Sequence, residues 1–437
     1  MKATGWTGTP AGIEAVGGST MPLEALNMYR QRYIDAQGDY TLSDGRVIPA
    51  VYAKVRTLLH TYGVGIGNTP YDSAFDDMMT VLSEEDAENF LKMPWGQKFR
   101  PMDLHARCNL SIEEAAEFCE RLAKEGYLFR VQTNAGNFYH QMPYYQGVSE
   151  IRNIEHMPDD PDFALGLYGS DAEDDRFYGG SSVLVAIPVN KEVVAEGGIL
   201  PYDDIEQIIE AQETFAIAPC ACRHKALCQA QVEGVPTLEE FHTGEFADYF
   251  SPLSNRRVET CFHMGDEAKY HISIGHAREI TKEQALEYMK RSVEDGFILQ
   301  KLFSKDSQTI CSCDRSTCLC MLEFTDMGIQ ATESRCFDQS RSRYELLVDY
   351  DACLKCGACA ERCPMEVISM GEDGYPVIGD PEVGDLCFRC GQCAHVCPAG
   401  ARTLVPRPAE ELLEEPQDIV GDHNLKAACR FEHGMIF

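Results

Sequence analysis

The chain is short of positive charge. Against 70 Asp and Glu it sets only 38 Lys and Arg in 437 residues, for a formal charge of −32. Such a balance excludes nucleic acid as an expected partner, because phosphates would be repelled. Long hydrophobic runs are missing too. Although 44% of the residues are hydrophobic, no apolar run approaches the roughly 20 residues that a membrane helix needs, so no membrane span is expected. Nothing at the N-terminus resembles a charged region followed by an apolar stretch, which makes a reducing, cytoplasmic location the expectation and a disulfide framework an unlikely use of cysteine. Nucleotide-binding loops are also lacking. Gly63, Gly65 and Gly67 mimic one superficially, but no strand precedes them, and Asn68 to Pro70 is turn chemistry. Bound NAD or nucleotide is therefore not expected.

What the chain has in quantity is cysteine, with 20 residues. Eight of them form two copies of one spacing: Cys353, Cys356, Cys359 and Cys363 followed by Pro364, then Cys387, Cys390, Cys393 and Cys397 followed by Pro398. Each reads C-x2-C-x2-C-x3-C-P, and the copies are offset by 34 residues at all four positions. Three thiolates on such a tight loop can reach three corners of an iron–sulfur cubane, and the fourth ligates the other cluster. One [4Fe-4S] cluster is thus expected on Cys353, Cys356, Cys359 and Cys397, and a second on Cys387, Cys390, Cys393 and Cys363. Gly357 and Gly391 follow the second cysteine of each loop, where a missing side chain lets backbone amides approach cluster sulfurs. Structural zinc also uses C-x2-C pairs, but such sites close with two pairs, not two quartets. The segment from about Leu346 to Leu404 resembles a bacterial two-cluster ferredoxin.

A second cysteine system lies upstream. A strand from Phe215 to Ala218 leads into Cys220, Cys222, Arg223 and Cys228, and Cys261 follows 33 residues later. These four thiolates read as a third [4Fe-4S] site, with the Arg223 cation beside an anionic centre, where it would raise the potential. Cys311, Cys313, Cys318 and Cys320 lie within ten residues. Two C-x-C pairs that close strain a single cubane, so a fourth cluster, a redox dithiol and loop cysteines of another role all stay open. Cys336 could supplement that group, and Cys429 stands alone.

The expected fold class is α+β, multidomain. Residues 1–71 read as a helical and extended lead, 72–145 as a winged-helix-like domain, 146–340 as a cysteine-rich iron–sulfur region, 341–405 as the ferredoxin domain and 406–437 as a docking arm. In the second part Ser111 and Glu114 make a capping-box pair, and Ala115, Phe118, Cys119 and Leu122 recur at helical spacing. Two β-prone runs follow. A winged helix ordinarily suggests DNA binding, yet this segment counts 13 acidic against 7 basic residues, so packing or docking is the better reading.

The winged-helix-like region, the C-x-C-R-x5-C segment, the C-x-C block and the terminal ferredoxin together resemble a group of anaerobic 4Fe-4S dicluster proteins of bacteria and archaea, over roughly residues 75 to 405. Relatives would have a third cysteine block more compact than Cys311 to Cys320. The resemblance implies electron transfer as the role. Three functions compete on these grounds. The first is a subunit that passes low-potential single electrons between a donor and a separate catalytic oxidoreductase subunit. Its redox partner, such as a flavoprotein or that catalytic subunit, would present a basic docking face to the acidic surface, although acidity also serves solubility alone. The second is a redox-sensing regulator, and the third a reductase working at an incompletely ligated cluster near Cys311 to Cys320.

Overall fold

A computed structural model describes residues 21–62, 72–156, 184–243, 248–332, 335–379 and 384–432. The stretch from Gly63 to Gly67 and the last residues, Met435 to Phe437, lie outside the described residues. Helix and strand are mixed throughout, in an α+β arrangement.

The N-terminal lobe gathers α1 (Leu23–Asp35), a short β1–β2 pair (Tyr40–Thr41, Val47–Ile48), α2 (Ala50–His60), α3 (Asp72–Val81), α4 (Glu84–Leu91), α5 (Pro101–His105) and α6 (Ile112–Lys124). A hairpin of β3 (Leu128–Thr133) and β4 (Gly136–Gln141) follows, then α7 (Ser149–His156). Helix α6 starts where Ser111 Oγ accepts from the Glu114 amide at 3.1 Å and Glu114 accepts from the Ser111 amide at 2.7 Å. Two otherwise orphaned donors are satisfied in this way. The helix buries Ala115, Phe118, Cys119 and Leu122 and leaves Glu113, Glu114 and Glu117 facing water. Gly136, at φ 108°, turns the hairpin in a region that favours glycine.

The central lobe is a six-stranded antiparallel sheet in the order β5-β9-β10-β7-β6-β8. Its strands are β5 (Leu184–Ala186), β6 (Phe215–Pro219), β7 (Glu259–Met264), β8 (Arg278–Ile280), β9 (Ile298–Leu302) and β10 (Thr309–Cys313). Side chains alternate across a strand. Phe215, Ile217, Phe262, Met264 and Ile310 therefore share one face, where they pack under α8 (Ile205–Glu210) and α12 (Lys282–Glu294). The opposite face presents Ala216, Ala218, Cys261, His263, Thr309, Cys311 and Cys313. Three helices approach that face: α9 (Ala221–Gln229), α11 (Gly265–Ser273) and α13 (Leu319–Met327). Two other helices of this lobe are α10 (Leu238–His242), which packs on α9, and α15 (Arg335–Ser340), which packs behind Cys313 and Cys318, with the one-turn α14 (Ile329–Thr332) before α15.

The C-terminal lobe pairs β11 (Tyr344–Val348) with β14 (Arg402–Pro406) and β12 (Ile368–Met370) with β13 (Pro376–Ile378). Between them stand α16 (Ala358–Arg362) and α17 (Gln392–His395). This lobe is fixed to the central one by Gln392, whose side-chain amide donates to the carbonyls of Val293 on α12 and Phe297 just before β9 at 3.1 and 2.8 Å. The following segment packs on the chain's own body. Buried Glu415 accepts from Lys301 at 2.8 Å and Arg343 at 2.7 Å. Helix α18 (Ile419–Glu432) returns to α1, where Phe431 stacks on Tyr29 and Tyr33.

Candidate metal centres

In the C-terminal lobe the eight thiols separate into two quartets. Cys353, Cys356, Cys359 and Cys397 line one small cavity with Pro398 and Gly357. Cys363, Cys387, Cys390 and Cys393 line another with Pro364 and Gly391. Each loop thus contributes three thiols to one quartet and its fourth to the other. The repeat extends to the backbone. Lys355 and Arg389, Gly357 and Gly391, and Glu366 and Gly400 are three pairs of positive-φ residues, each offset by the same 34 residues as the cysteines. Left-handed residues turn successive amides toward one point, which is the geometry of an anion-binding nest.

These residues suit an iron–sulfur cubane. The Arg389 amide donates to Cys387 Sγ at 3.4 Å and the Ala401 amide to Cys397 Sγ at 3.3 Å. Arg402, 4% exposed, places Nη1 3.6 Å from Cys393 Sγ, while its buried Nη2 has no acceptor among the described residues. A guanidinium kept from water and half-paired is the counterpart of an anionic cluster. A lone zinc ion would need thiols within about 4 Å of one another. Among the described residues, however, the one trio whose ligand atoms all lie within 4.8 Å contains no cysteine. Burial pushes the Cys387 thiol up to about 12 and the Cys390 thiol well up, so ligation must release protons.

Most of the upstream cysteines converge. Cys220, Cys222, Cys261, Cys311, Cys313, Cys318 and Cys320 all line a single cavity of about 180 Å³, against about 20 Å³ at each ferredoxin-like site. Strand register explains half of this convergence. Cys311 on β10 lies opposite Cys261 on β7, and Cys313, two residues on, points to the same face. The other half comes from helix starts: Cys220 is the N-cap of α9 and Cys318 the N-cap of α13, with Cys222 and Cys320 in the first turns. Both helices therefore aim their positive ends at the sulfur cavity. The thiols interact in a chain: Cys222 with Cys220 and Cys318, Cys318 with Cys313 and Cys320, and Cys311 with Cys313 and Cys261. Bonding to Cys222, then burial, raises the Cys220 thiol well above its ordinary value.

Cys228 does not join them. It stands six residues beyond Cys222 on α9, about 1.7 turns round and about 9 Å along the axis, and burial there pushes its thiol up to about 11. Cys336 packs in the apolar cluster behind Cys313 and Cys318 without lining the cavity, and Cys429 is buried on α18. Arg223 lines the cavity, but its charge is matched. Nη2 donates to Asp314 at 2.9 Å and to the Ser312 carbonyl at 3.0 Å, and Nη1 to Thr260 at 2.9 Å. The ion pair ties the start of α9 to the turn between Cys313 and Cys318, and so positions one cysteine pair against the other. His224, also buried, packs against Phe241. The cavity wall further includes His263, His271 and His276. Sequence reading passed over these histidines, although His263, Glu267 and His271 repeat at intervals of four.

A family model described as a 4Fe-4S dicluster domain matches residues 352–402. No curated protein and no solved structure matches the chain. Residues 352–402 are thus similar to a 4Fe-4S dicluster domain, which supports an iron–sulfur protein. Among the described residues no helix is long and apolar enough to cross a membrane.

Proposed function

We propose that this chain passes low-potential single electrons between a donor and a separate catalytic oxidoreductase subunit. Two [4Fe-4S] clusters in the C-terminal lobe and a further metal–sulfur centre in the seven-cysteine cavity would carry them. Bound clusters supply the one-electron chemistry, and the chain supplies ligation, burial and spacing. The observation that carries this reading is a shared apolar cluster. Cys390, Met365 and Phe388 from the second ferredoxin-like site pack in it together with Cys313 and Cys318 of the central cavity. Close packing between these two sites, with no intervening solvent layer, supports a path from one to the other. The other quartet marks the outer end. Cys356 is exposed, and so are the neighbouring apolar side chains Leu347, Tyr350, Leu354, Met370 and Val377. An apolar patch on an acidic lobe suits a redox partner with a basic rim.

The test uses anaerobically purified full-length protein, reduced in parallel by a small reductant and by a reduced low-potential flavoprotein with a basic surface. Leu354→Glu is expected to slow the protein donor at least fivefold while leaving the small reductant and the iron content unchanged. Equal rates with both donors would count against docking here. Iron and sulfide of no more than about eight each per chain, the total for two cubanes, would remove the central centre from the path. A second reading, a reductase acting at the cavity, draws support from its seven thiols, three more than one cubane takes.

A further inference from the structure

We infer that His263, Glu267 and His271 hold a divalent first-row metal ion at the wall of the seven-cysteine cavity, separate from whatever centre the cysteines carry. The ligand atoms of these three residues all lie within 4.8 Å of one another. The chain arrives at this arrangement through a strand-to-helix corner. His263 is on β7, Gly265 turns the backbone at φ 54°, and Glu267 and His271 lie one turn apart on α11. A side chain at Gly265 would meet Gln308 at 3.0 Å. That same Gln308 caps the helix by accepting from the Asp266 and Glu267 amides at 2.8 and 3.2 Å. The corner is therefore held tightly, and the glycine permits it.

The three donors lie close together, but the His263 and His271 rings stack with centroids 4.0 Å apart and planes 28° from parallel, so binding an ion would swing one ring to converge the two nitrogens. His263 Nδ1 is engaged by Thr309 Oγ1 at 3.0 Å, which fixes the ring and makes Nε2, now in contact with Cys261 Sγ, the atom that would ligate once that contact is displaced. His271 Nε2 and Glu267 Oε2 are 3.5 Å apart. Two donors about 2.1 Å from one tetrahedral ion stand roughly 3.4 Å apart, so the pair already has the spacing of co-ligands. The other ring nitrogen of His271, Nδ1, is buried with no partner among the described residues, and so is Nδ1 of His276, whose ring centroid is 5.0 Å from that of His271. Unpaired imidazole nitrogens in a dry wall are costly unless something polar meets them. Two histidines and one carboxylate suit iron(II) or zinc and leave coordination positions open. Cys261 Sγ lies 3.4 Å from His263 Nε2, so the ion would adjoin the sulfur cavity. It could then hold or polarise a small ligand beside a one-electron centre.

The inference stands whether or not the electron path above is correct, and its test keeps the two apart. Cluster-loaded full-length protein, stripped of loose metal by a chelator, is given zinc alone or iron(II) alone under anaerobic conditions. After gel filtration the wild type should retain one added equivalent, and X-ray absorption at the zinc edge should show nitrogen and oxygen neighbours near 2.0–2.1 Å. Glu267→Gln and His271→Asn should each cut the retained metal at least tenfold, with iron–sulfur absorbance unchanged. Only sulfur neighbours near 2.3 Å in the wild type would overturn the site without any variant being needed. Full retention in a folded His271→Asn protein would overturn it as well. Competition between the two metals decides which one the site selects.

Discussion

Arg402 gives the sharpest handle on the C-terminal lobe. It lies on β14, 4% exposed, with Nη1 3.6 Å from Cys393 Sγ, and it interacts electrostatically with Cys359 of the other quartet as well. One buried cation therefore serves both sites. Reduction adds a negative charge to a cluster, so a nearby cation favours the reduced form, and Arg402→Gln should lower both potentials. Cluster charge is spread beyond the sulfur, which sets an effective separation of about 6 Å. At an effective dielectric constant of about 20, the interaction is about 3 kcal/mol. At about 59 mV per tenfold for one electron, this is a ceiling of about 120 mV. A dye-mediated titration of anaerobic full-length protein, followed by electron paramagnetic resonance, reads both sites. The Cys393 site should fall by roughly 50–120 mV and the Cys359 site by less. Lys290→Gln removes the same charge from a residue 66% exposed and should move neither potential appreciably, because solvent and salt screen it. A shift under about 20 mV for Arg402→Gln, or a rise, would refute the reasoning.

Three further outcomes follow from the packing. Cys222→Ala should lower iron and sulfide per chain, whereas Cys228→Ala should leave both unchanged in elemental analysis, because only Cys222 lines the cavity. Gly391→Ala puts a methyl group 2.7 Å from Val193 Cγ2 at φ 86°, whereas Gly357→Ala at φ 79° meets nothing within 4 Å. The first should cost roughly 2–4 kcal/mol and the second about 1 kcal/mol, measured as the denaturant midpoint of cluster bleaching. Burial holds the Asp203 carboxyl up at about 6, although Lys301 and Arg343 pull it down. The folded chain then keeps a proton that the unfolded chain, at about 3.9, has lost. Stability from this group is present at low pH and declines as pH rises through about 6, by up to roughly 3 kcal/mol. Asp203→Asn should therefore raise the melting temperature more at pH 7.5 than at pH 5.5; an equal rise at both would reject the assignment.

Legibility in the sequence tracked how local each feature is. The grouping of the eight cysteines into two cavity-lining quartets could be read because three of each lie within seven consecutive residues and the fourth sits at a repeated offset. Helix α6 could be read from Ser111, Glu114 and its apolar stripe. The seven-cysteine cavity could not, because it depends on the pairing of Cys311 with Cys261 across two strands. Nothing at the level of spacing fixes that register. Cys228 lies apart from the cavity for a related reason: spacing counts residues, whereas a helix converts six residues into a different face. The His263, Glu267 and His271 interval was visible but straddles a strand and a helix. Neither a period of 2 nor one of 3.6 describes it, and only the corner at Gly265 makes it a cluster.

The scarcity of cations in the composition gains meaning from where they lie. With 38 basic residues against 70 acidic ones, a random scatter would leave most cations on the surface in weak pairs. Instead Arg223 is buried at the central cavity and Arg402 between the two quartets, while Arg389 donates its amide to Cys387 and pairs with Glu345 at 2.6 Å. Surface acidity acts through water and is screened beyond about 8 Å at physiological salt. It can bias which partner approaches and how fast, but it has little purchase on a site buried beneath the lobe surface. Buried guanidiniums act at a few ångströms in a medium of low polarity, where one charge outweighs many distant ones. Partner choice and redox poise are thus set by different residues of the same chain, so a change in one need not disturb the other. The compensated Arg223–Asp314 pair fits the same division: it adds no net charge at the central cavity and acts there by positioning the cysteines, whereas Arg402, unmatched by any carboxylate among the described residues, acts by its field.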